Sequence, residues 1–306
     1  MNFVFMRYTD LAAELFLTLR LEFFNGKCRP VPYTLRGKAN TQADPFDENL
    51  QRILSTKMPK DVESPKASGP LITPDIVLMR RSLCANQPRS ALRSDTSRIM
   101  GLEVKKLERA AGGKIARNSG LDYNTTPPCG TVRVYDSQDN PLDIRGFYLF
   151  VCQEPVSGKQ GQYQLTSLVV CDGNLLNEDF DYYLSVVGER KKQIGLGTFA
   201  DGADRCRPML IFANPLGCDQ LQKQPTLVHT SENLSTHQGP LRRIGQLRRS
   251  AKAGGERVFH CFGLESDYAS VPAKAAFDLL DPFPTPQRSE KTQPRGKFRL
   301  DLKTAG

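Results

Sequence analysis

Two short segments in the first third of the chain carry ionisable side chains within strand-like runs. The first, Thr73–Met79, has Asp75 just ahead of its apolar residues. The second, Gly101–Leu107, has Glu103 and Lys105 on one face, because side chains alternate along a strand. If the two strands lie side by side, two carboxylates and an ammonium group meet. Such a group suits a hard divalent cation and an activated water molecule.

Two helices are predicted ahead of these strands. Apolar residues recur at helical spacing in Asp10–Phe24, which indicates an amphipathic helix. Its apolar face either packs on the core of its own chain or pairs two subunits. The second helix begins with Asp44 as its N-cap and Pro45 in its first turn. The apolar stripe of this helix consists of Phe46, Leu50, Ile53 and Leu54.

The rest of the chain mixes strands and helices without regular alternation. Strands are predicted at Asp75–Arg80, Arg98–Leu107, Thr131–Tyr135, Arg145–Cys152, Tyr163–Cys171, Pro208–Ala213 and Arg257–Phe262. Helical patterns are seen at Leu175–Lys191 and, rich in arginine, at Leu241–Ala253. The pattern predicts an α/β (mixed α+β) fold.

We expect a single domain over residues 1–283, followed by a polar tail at 284–306 that begins in a Pro-rich, charged stretch. Within the domain, an N-terminal helical part covers 1–60, a core covers about 44–217, and a C-terminal part covers 218–283.

The composition favours a polyanionic partner. The 306 residues include 42 Lys and Arg against 33 Asp and Glu, a net charge of +9. Charged residues interrupt the apolar N-terminus, which excludes a signal peptide, and no segment approaches a transmembrane length. We therefore expect a cytoplasmic protein that does not bind membranes.

The cysteines and histidines do not suggest a zinc centre. None of the eight cysteines is separated from another by the two-residue spacing of a zinc knuckle, and we expect buried free thiols. The three histidines, His229, His237 and His260, show no metal-ligand spacing. A serine-nucleophile motif and complete nucleotide-binding loops are also absent from the sequence.

The order of a helix, a Pro-Asp strand and a Glu-x-Lys strand resembles the core of the PD-(D/E)XK nuclease superfamily, which includes most type II restriction endonucleases. The motif covers about residues 44 to 107. Gly120–Gly130 and Arg207–Leu216 also resemble stretches of type II enzymes and extend the likeness to about residue 217. The resemblance implies a restriction-endonuclease-like core with a central mixed sheet flanked by helices.

The resemblance also assigns roles to individual residues. Asp75 and Glu103 correspond to the metal-binding carboxylates, and Lys105 corresponds to the lysine near the attacking water and the scissile phosphate. Glu48 is the candidate for an additional carboxylate from the preceding helix. The implied activity is Mg²⁺-dependent hydrolysis of double-stranded DNA at a specific site. A homodimer and a cognate DNA methyltransferase are the implied partners.

Several arginines are candidates for DNA contacts, either to phosphates or to base edges. They are Arg80, Arg81, Arg109, Arg205, Arg207, Arg242 and Arg243. Two alternatives remain open from the sequence. One is a DNA repair nuclease with the same core, and the other is a non-enzymatic nucleic-acid-binding protein in which the three site residues meet by accident.

Overall fold

The computed structural model describes residues 8–35, 45–69, 72–110, 123–125, 128–178, 197–200, 206–212, 216, 224–250, 255–264, 267, 276–277 and 296–300. Its helices are α1 (Leu11–Phe23), α2 (Pro45–Lys57), α3 (Arg81–Cys84) and α4 (Arg89–Leu92), and residues 173–178 are also helical. The side chain of Asp10 caps α1 by accepting hydrogen bonds from the N–H groups of Ala12 and Ala13 at 2.8 and 3.2 Å.

The strands alternate irregularly with these helices along the chain. They are β1 (Tyr33–Thr34), β2 (Ile72–Thr73), β3 (Ile76–Met79), β4 (Ile99–Glu108), β5 (Tyr123–Thr125), β6 (Thr131–Tyr135), β7 (Pro141–Pro155), β8 (Gln162–Asp172), β9 (Gly197–Ala200), β10 (Cys206–Phe212), β11 (Thr226–His229), β12 (Ser235–Thr236), β13 (Gly239–Pro240), β14 (Arg242–Ser250), β15 (Glu256–Gly263), β16 (Ala276–Phe277) and β17 (Gly296–Lys297).

A mixed sheet forms the centre of the part that the structure describes and contains ten of these strands. Its order is β16-β14-β15-β11-β8-β7-β4-β3, with β1 beside β8 and β6 beside β7. The pairs β3–β4 and β7–β8 are antiparallel, whereas β4–β7 and β8–β11 are parallel. The mixed α/β class and the central mixed sheet are therefore as predicted. Strands from both the core and the C-terminal part enter this one sheet.

Helix α1 lies inside the protein. All of its residues from Leu11 to Arg20 are buried, and α2 packs beside it on the same apolar cluster. The buried charges on α1 have partners far along the chain, because Glu14 accepts from the N–H of His237 at 2.6 Å and Arg20 binds Asp267. The apolar face of α1 therefore packs within its own chain, and it is not available to pair two subunits.

Two sequence-based assignments are wrong where the structure describes them. The basic segment Leu241–Ala253 was expected to be a helix, but Arg242–Ser250 is strand β14. A β-bulge between Arg243 and Gly245 inserts Ile244, so that Ile244 and Leu247 share a buried face although they are three residues apart. Spacing by three also fits a helix, which explains the error.

The second error concerns the expected polar tail at 284–306. Strand β17 pairs with β2, and Phe298 and Leu300 are buried in the cluster around β3 and β6. Residues 296–300 therefore belong to the folded domain. The predicted helix Leu175–Lys191 is helical up to residue 178, and its remainder lies outside the described residues.

Six cysteines in the described ranges are free, and five of them are buried, as the sequence predicted. Among the helices that the structure describes, none combines the length and the apolar character needed to cross a membrane.

Candidate active site

The pairing of β3 with β4 brings the predicted site residues together. Ile76 lies opposite Leu102, which places Asp75 beside Glu103 on the neighbouring strand. Asp75 Oδ2 accepts a hydrogen bond from the N–H of Val104 at 2.7 Å. Lys105 Nζ donates to Glu103 Oε1 at 2.9 Å, and the Glu103 side chain is only 5% exposed. The three side chains form one cluster at the end of the sheet nearest β3.

The local sequence explains why β4 fits so closely against its surroundings here. Gly101 lies two residues before Glu103, and a Cβ atom at Gly101 would lie 2.3 Å from Val132 Cγ2 and 3.1 Å from Pro74 Cγ. Only a residue without a side chain allows β6 and Pro74 to approach β4 at this point. The Thr73–Pro74 peptide bond, directly before Asp75, is cis.

The cluster holds the carboxylates of Asp75 and Glu103 close together, and this affects the pKa of Asp75. Burial, followed by the negative charge of Glu103, raises the pKa of Asp75 to about 7. The charge of Lys105 and the hydrogen bond from Val104 oppose this shift without cancelling it. A cation at this position would favour the ionised form of both carboxylates.

A further carboxylate, Asp47 on α2, contributes to this field. The negative charge of Asp47 adds to the causes that raise the pKa of Asp75. Glu48, the residue expected from the sequence, is exposed, and no influence of it on Asp75 is seen. Helical periodicity alone separates the positions of these two residues. Asp47 borders the buried stripe of Phe46 and Leu50, whereas Glu48 points away from it.

Behind Glu103 lies a buried polar group that the sequence analysis missed. Tyr148 is the neighbour of Glu103 on β7, and its hydroxyl is hydrogen-bonded to Thr125 and Cys129. The Cys129 thiol lies 3.3 Å from Thr125 Oγ1. Burial raises the pKa of Tyr148 well above its usual value and that of Cys129 to about 11. Both groups are therefore neutral at physiological pH, and Tyr148 contributes a polar but uncharged wall behind the carboxylates.

Arg80 is buried, whereas a contact with DNA requires an exposed side chain. Its side chain is 3% exposed, Nε donates to Asp61 Oδ2 at 2.7 Å, and Nη1 donates to the carbonyl of Thr9 at 2.8 Å. These contacts tie the end of β3 to the residues before α1. Arg80 is a structural arginine, and we correct the sequence-based assignment accordingly.

The other arginines predicted to contact DNA are distributed over the fold. Arg81 pairs with Glu63, and Arg243 pairs with Glu232, both at the surface. Arg109 directly follows β4, whereas Arg242 begins β14 on the far side of the sheet. Arg207 lies in β10, whose backbone pairs with β5 and β9, and Arg205 lies outside the described residues. Those arginines whose side chains the structure describes are therefore not gathered into one patch.

Within the described ranges, no group of three or more His, Cys, Asp and Glu side chains is arranged to hold a metal ion. Asp75 and Glu103 supply two carboxylates, and Mg²⁺ often binds proteins through one or two carboxylates together with waters and substrate phosphates. Comparison of the chain with protein-family models, curated proteins and solved structures found no match.

Proposed function

We propose that this protein is a Mg²⁺-dependent endonuclease that hydrolyses phosphodiester bonds of double-stranded DNA. The observation that carries the proposal is the meeting of Asp75 and Glu103 on adjacent antiparallel strands, with Lys105 bound to Glu103 at 2.9 Å. Two carboxylates and an ammonium group on one face of a sheet can supply the metal ligands and the positive charge for metal-assisted phosphodiester hydrolysis.

The donor set suits a hard divalent cation. Both carboxylates are largely removed from water, and the pKa of Asp75 is raised first by this burial and then by the negative charge of Glu103. Asp75 and Glu103 would hold Mg²⁺, which supplies a Lewis acid for the phosphoryl oxygen and lowers the pKa of a bound water. Oxygen ligands favour Mg²⁺ over Zn²⁺ at such a site.

Lys105 has two tasks in this proposal. The Lys105 side chain is 17% exposed and its ammonium group donates to Glu103, so it fixes the orientation of that carboxylate at the edge of the site. Its positive charge would also offset the negative charge that develops on the phosphate during attack by water. The neutral Tyr148 behind Glu103 adds no further negative charge to repel the substrate.

The finer proposal is a type II restriction endonuclease with a restriction-endonuclease-like core. The net charge of +9 and the single large sheet support a compact DNA-binding enzyme. Such an enzyme requires a cognate methyltransferase that protects the host DNA. It commonly cuts a palindrome as a homodimer, because protein symmetry then matches DNA symmetry. A homodimer of this chain would use a surface other than α1, which is buried within its own chain.

The proposal is tested by incubating the purified protein with covalently closed plasmid and with phage DNA, each with Mg²⁺ and with EDTA. We expect Mg²⁺-dependent fragments with discrete ends, and sequencing those ends gives the recognition site and the cut position. Degradation from free ends alone would favour a repair nuclease. DNA binding without strand scission in any divalent metal would favour a non-enzymatic binding protein.

A further inference from the structure

The segment Gly296–Leu300 is built into the fold beside the candidate active site. Gly296 and Lys297 pair in parallel with Ile72 and Thr73 of β2. The N–H of Tyr135 donates to the carbonyl of Phe298 at 2.6 Å, and the N–H of Leu300 donates to the carbonyl of Tyr135 at 2.7 Å. Phe298 and Leu300 are buried. The segment is thereby fixed between β2 and the end of β6.

The alternation of this segment turns two cations outward. The side chains of Lys297 and Arg299 are 49% and 55% exposed. Both pair with one carboxylate, that of Asp139 in the turn between β6 and β7; Lys297 Nζ lies 3.8 Å from Asp139 Oδ2. Lys297 Nζ also lies 4.9 Å from the centre of the Tyr135 ring. Two cations therefore share a single surface carboxylate.

The position of Lys297 relative to the site follows from the strand register. Lys297 lies opposite Thr73, and Thr73 precedes Asp75 by two residues. The chain continues from Thr73 through the cis Thr73–Pro74 bond into Asp75, so the backbone of Lys297 lies one strand away from the residues that lead into the site.

The ion pairs that the structure describes around this segment contain more cations than carboxylates. Five cationic side chains share three carboxylates there: Arg89 with Asp136, Arg93 and Arg133 with Asp143, and Lys297 and Arg299 with Asp139. Three arginines of the β14–β15 hairpin, by contrast, pair with three different carboxylates: Arg243 with Glu232, Arg248 with Glu256, and Arg257 with Glu178. Exposed ion pairs are weak, so a phosphate can readily replace a shared carboxylate.

We propose that Lys297 and Arg299 bind backbone phosphates of the DNA duplex that the candidate site cuts. This inference rests on the proposed nuclease function and adds to it a strand-holding surface from the C-terminal segment. Charge-assisted contacts of this kind position the duplex without reading its sequence. Asp139 then acts as a competitor, because its carboxylate occupies the same two cations in the free protein.

The test measures binding of a fluorescent DNA duplex by anisotropy in EDTA, over a series of salt concentrations, so that cleavage plays no part. The double variant K297Q/R299Q should bind at least about tenfold more weakly at low salt. The slope of log affinity against log salt should fall by about 2, because each phosphate contact contributes about 0.9. The matched control R248Q/R257Q changes two similarly exposed arginines on the β14–β15 hairpin and should bind like the wild type.

A third variant, Asp139→Asn, gives a change in the opposite direction. Asp139 has a positive φ of 61°, a conformation that asparagine also tolerates, so the turn should be kept. Removing the competing charge should tighten DNA binding several-fold, an effect that lost folding cannot produce. Unchanged affinity and salt slope in K297Q/R299Q, or weaker binding in D139N, would overturn the inference. Failure of the wild type to bind duplex DNA would instead overturn the proposed function.

Discussion

The carboxylate of Asp75 accepts a hydrogen bond from the backbone N–H of Val104 at 2.7 Å. Val104 lies between Glu103 and Lys105, so this one bond fixes the first carboxylate relative to the other two site residues. Because the backbone of β4 is held on its other side by β7, the geometry depends on the sheet rather than on mobile side chains. A site on neighbouring strands of a packed sheet is preorganised for a cation.

Replacing either carboxylate by its amide should separate catalysis from binding. Asp75→Asn retains an acceptor for Val104, and Glu103→Gln retains the shape of the side chain, so both variants should fold. We expect cleavage to fall about a thousandfold or more, because the cation loses a charged ligand. Binding of duplex DNA in EDTA should stay within about threefold of wild type. Cleavage at the wild-type rate by both variants would contradict the site assignment.

The stability of the metal-free protein should depend on pH through Asp75. The pKa of Asp75 is raised in the folded state, from its usual 3.8 to about 7. A raised folded-state pKa stabilises the fold fully below about pH 4, and this contribution is lost as the pH rises through 7. Between pH 5 and pH 8, the unfolding free energy of the wild type should therefore fall by on the order of 2 kcal/mol relative to that of Asp75→Asn.

Denaturant titrations of both proteins in EDTA measure this difference. Addition of Mg²⁺ at pH 8 should stabilise the wild type and leave Asp75→Asn nearly unchanged, because the cation replaces the proton as the partner of the carboxylate. An equal pH dependence for the two proteins would mean that Asp75 ionises normally in the folded state.

The α2 helix offers a matched pair of acidic residues. Both are exposed, but the charge of Asp47 is among the causes that raise the pKa of Asp75 and the charge of Glu48 is not. Removing the charge of Asp47 should weaken cation binding, so Asp47→Asn should raise the Mg²⁺ concentration for half-maximal cleavage by about two- to fivefold. Glu48→Gln should leave it unchanged. The reverse result would restore the sequence-based choice of Glu48.

The central elements of the fold were predictable because their sequences satisfy one local rule each. Strands β3 and β4 show apolar runs with ionisable residues at defined positions, and α2 shows a cap followed by a stripe of period 3.6. The pairing of Asp75 with Glu103 followed from the expectation that consecutive strands lie side by side. Each of these signals lies within a short stretch of sequence, whereas the residues against which each element packs are seen only in the structure.

The errors occurred where distant residues determine the outcome. Arg20 and Glu14 look like the polar side of a surface helix, yet each is buried and hydrogen-bonded to a residue more than 200 positions away. In the C-terminal segment, the alternation Lys297-Phe298-Arg299-Leu300 is a strand pattern, but the Pro-rich stretch before it suggested a tail. A short strand is stabilised by the strands with which it pairs, and the local sequence does not show which strands these are.

Arg80 and Arg81 provide the last test, because they are neighbours in sequence with opposite environments. The Arg80 side chain is buried and donates to the exposed carboxylate of Asp61 and to the carbonyl of Thr9, so Arg80→Ala removes these bonds together with the packing of the side chain and should cost about 2 to 3 kcal/mol of unfolding free energy. Arg81 pairs with Glu63 at the surface, and Arg81→Ala should cost less than about 1 kcal/mol. Denaturant unfolding of both variants checks the difference. If Arg80→Ala instead unfolds like the wild type but loses DNA affinity, Arg80 contacts DNA after all and its structural role is refuted.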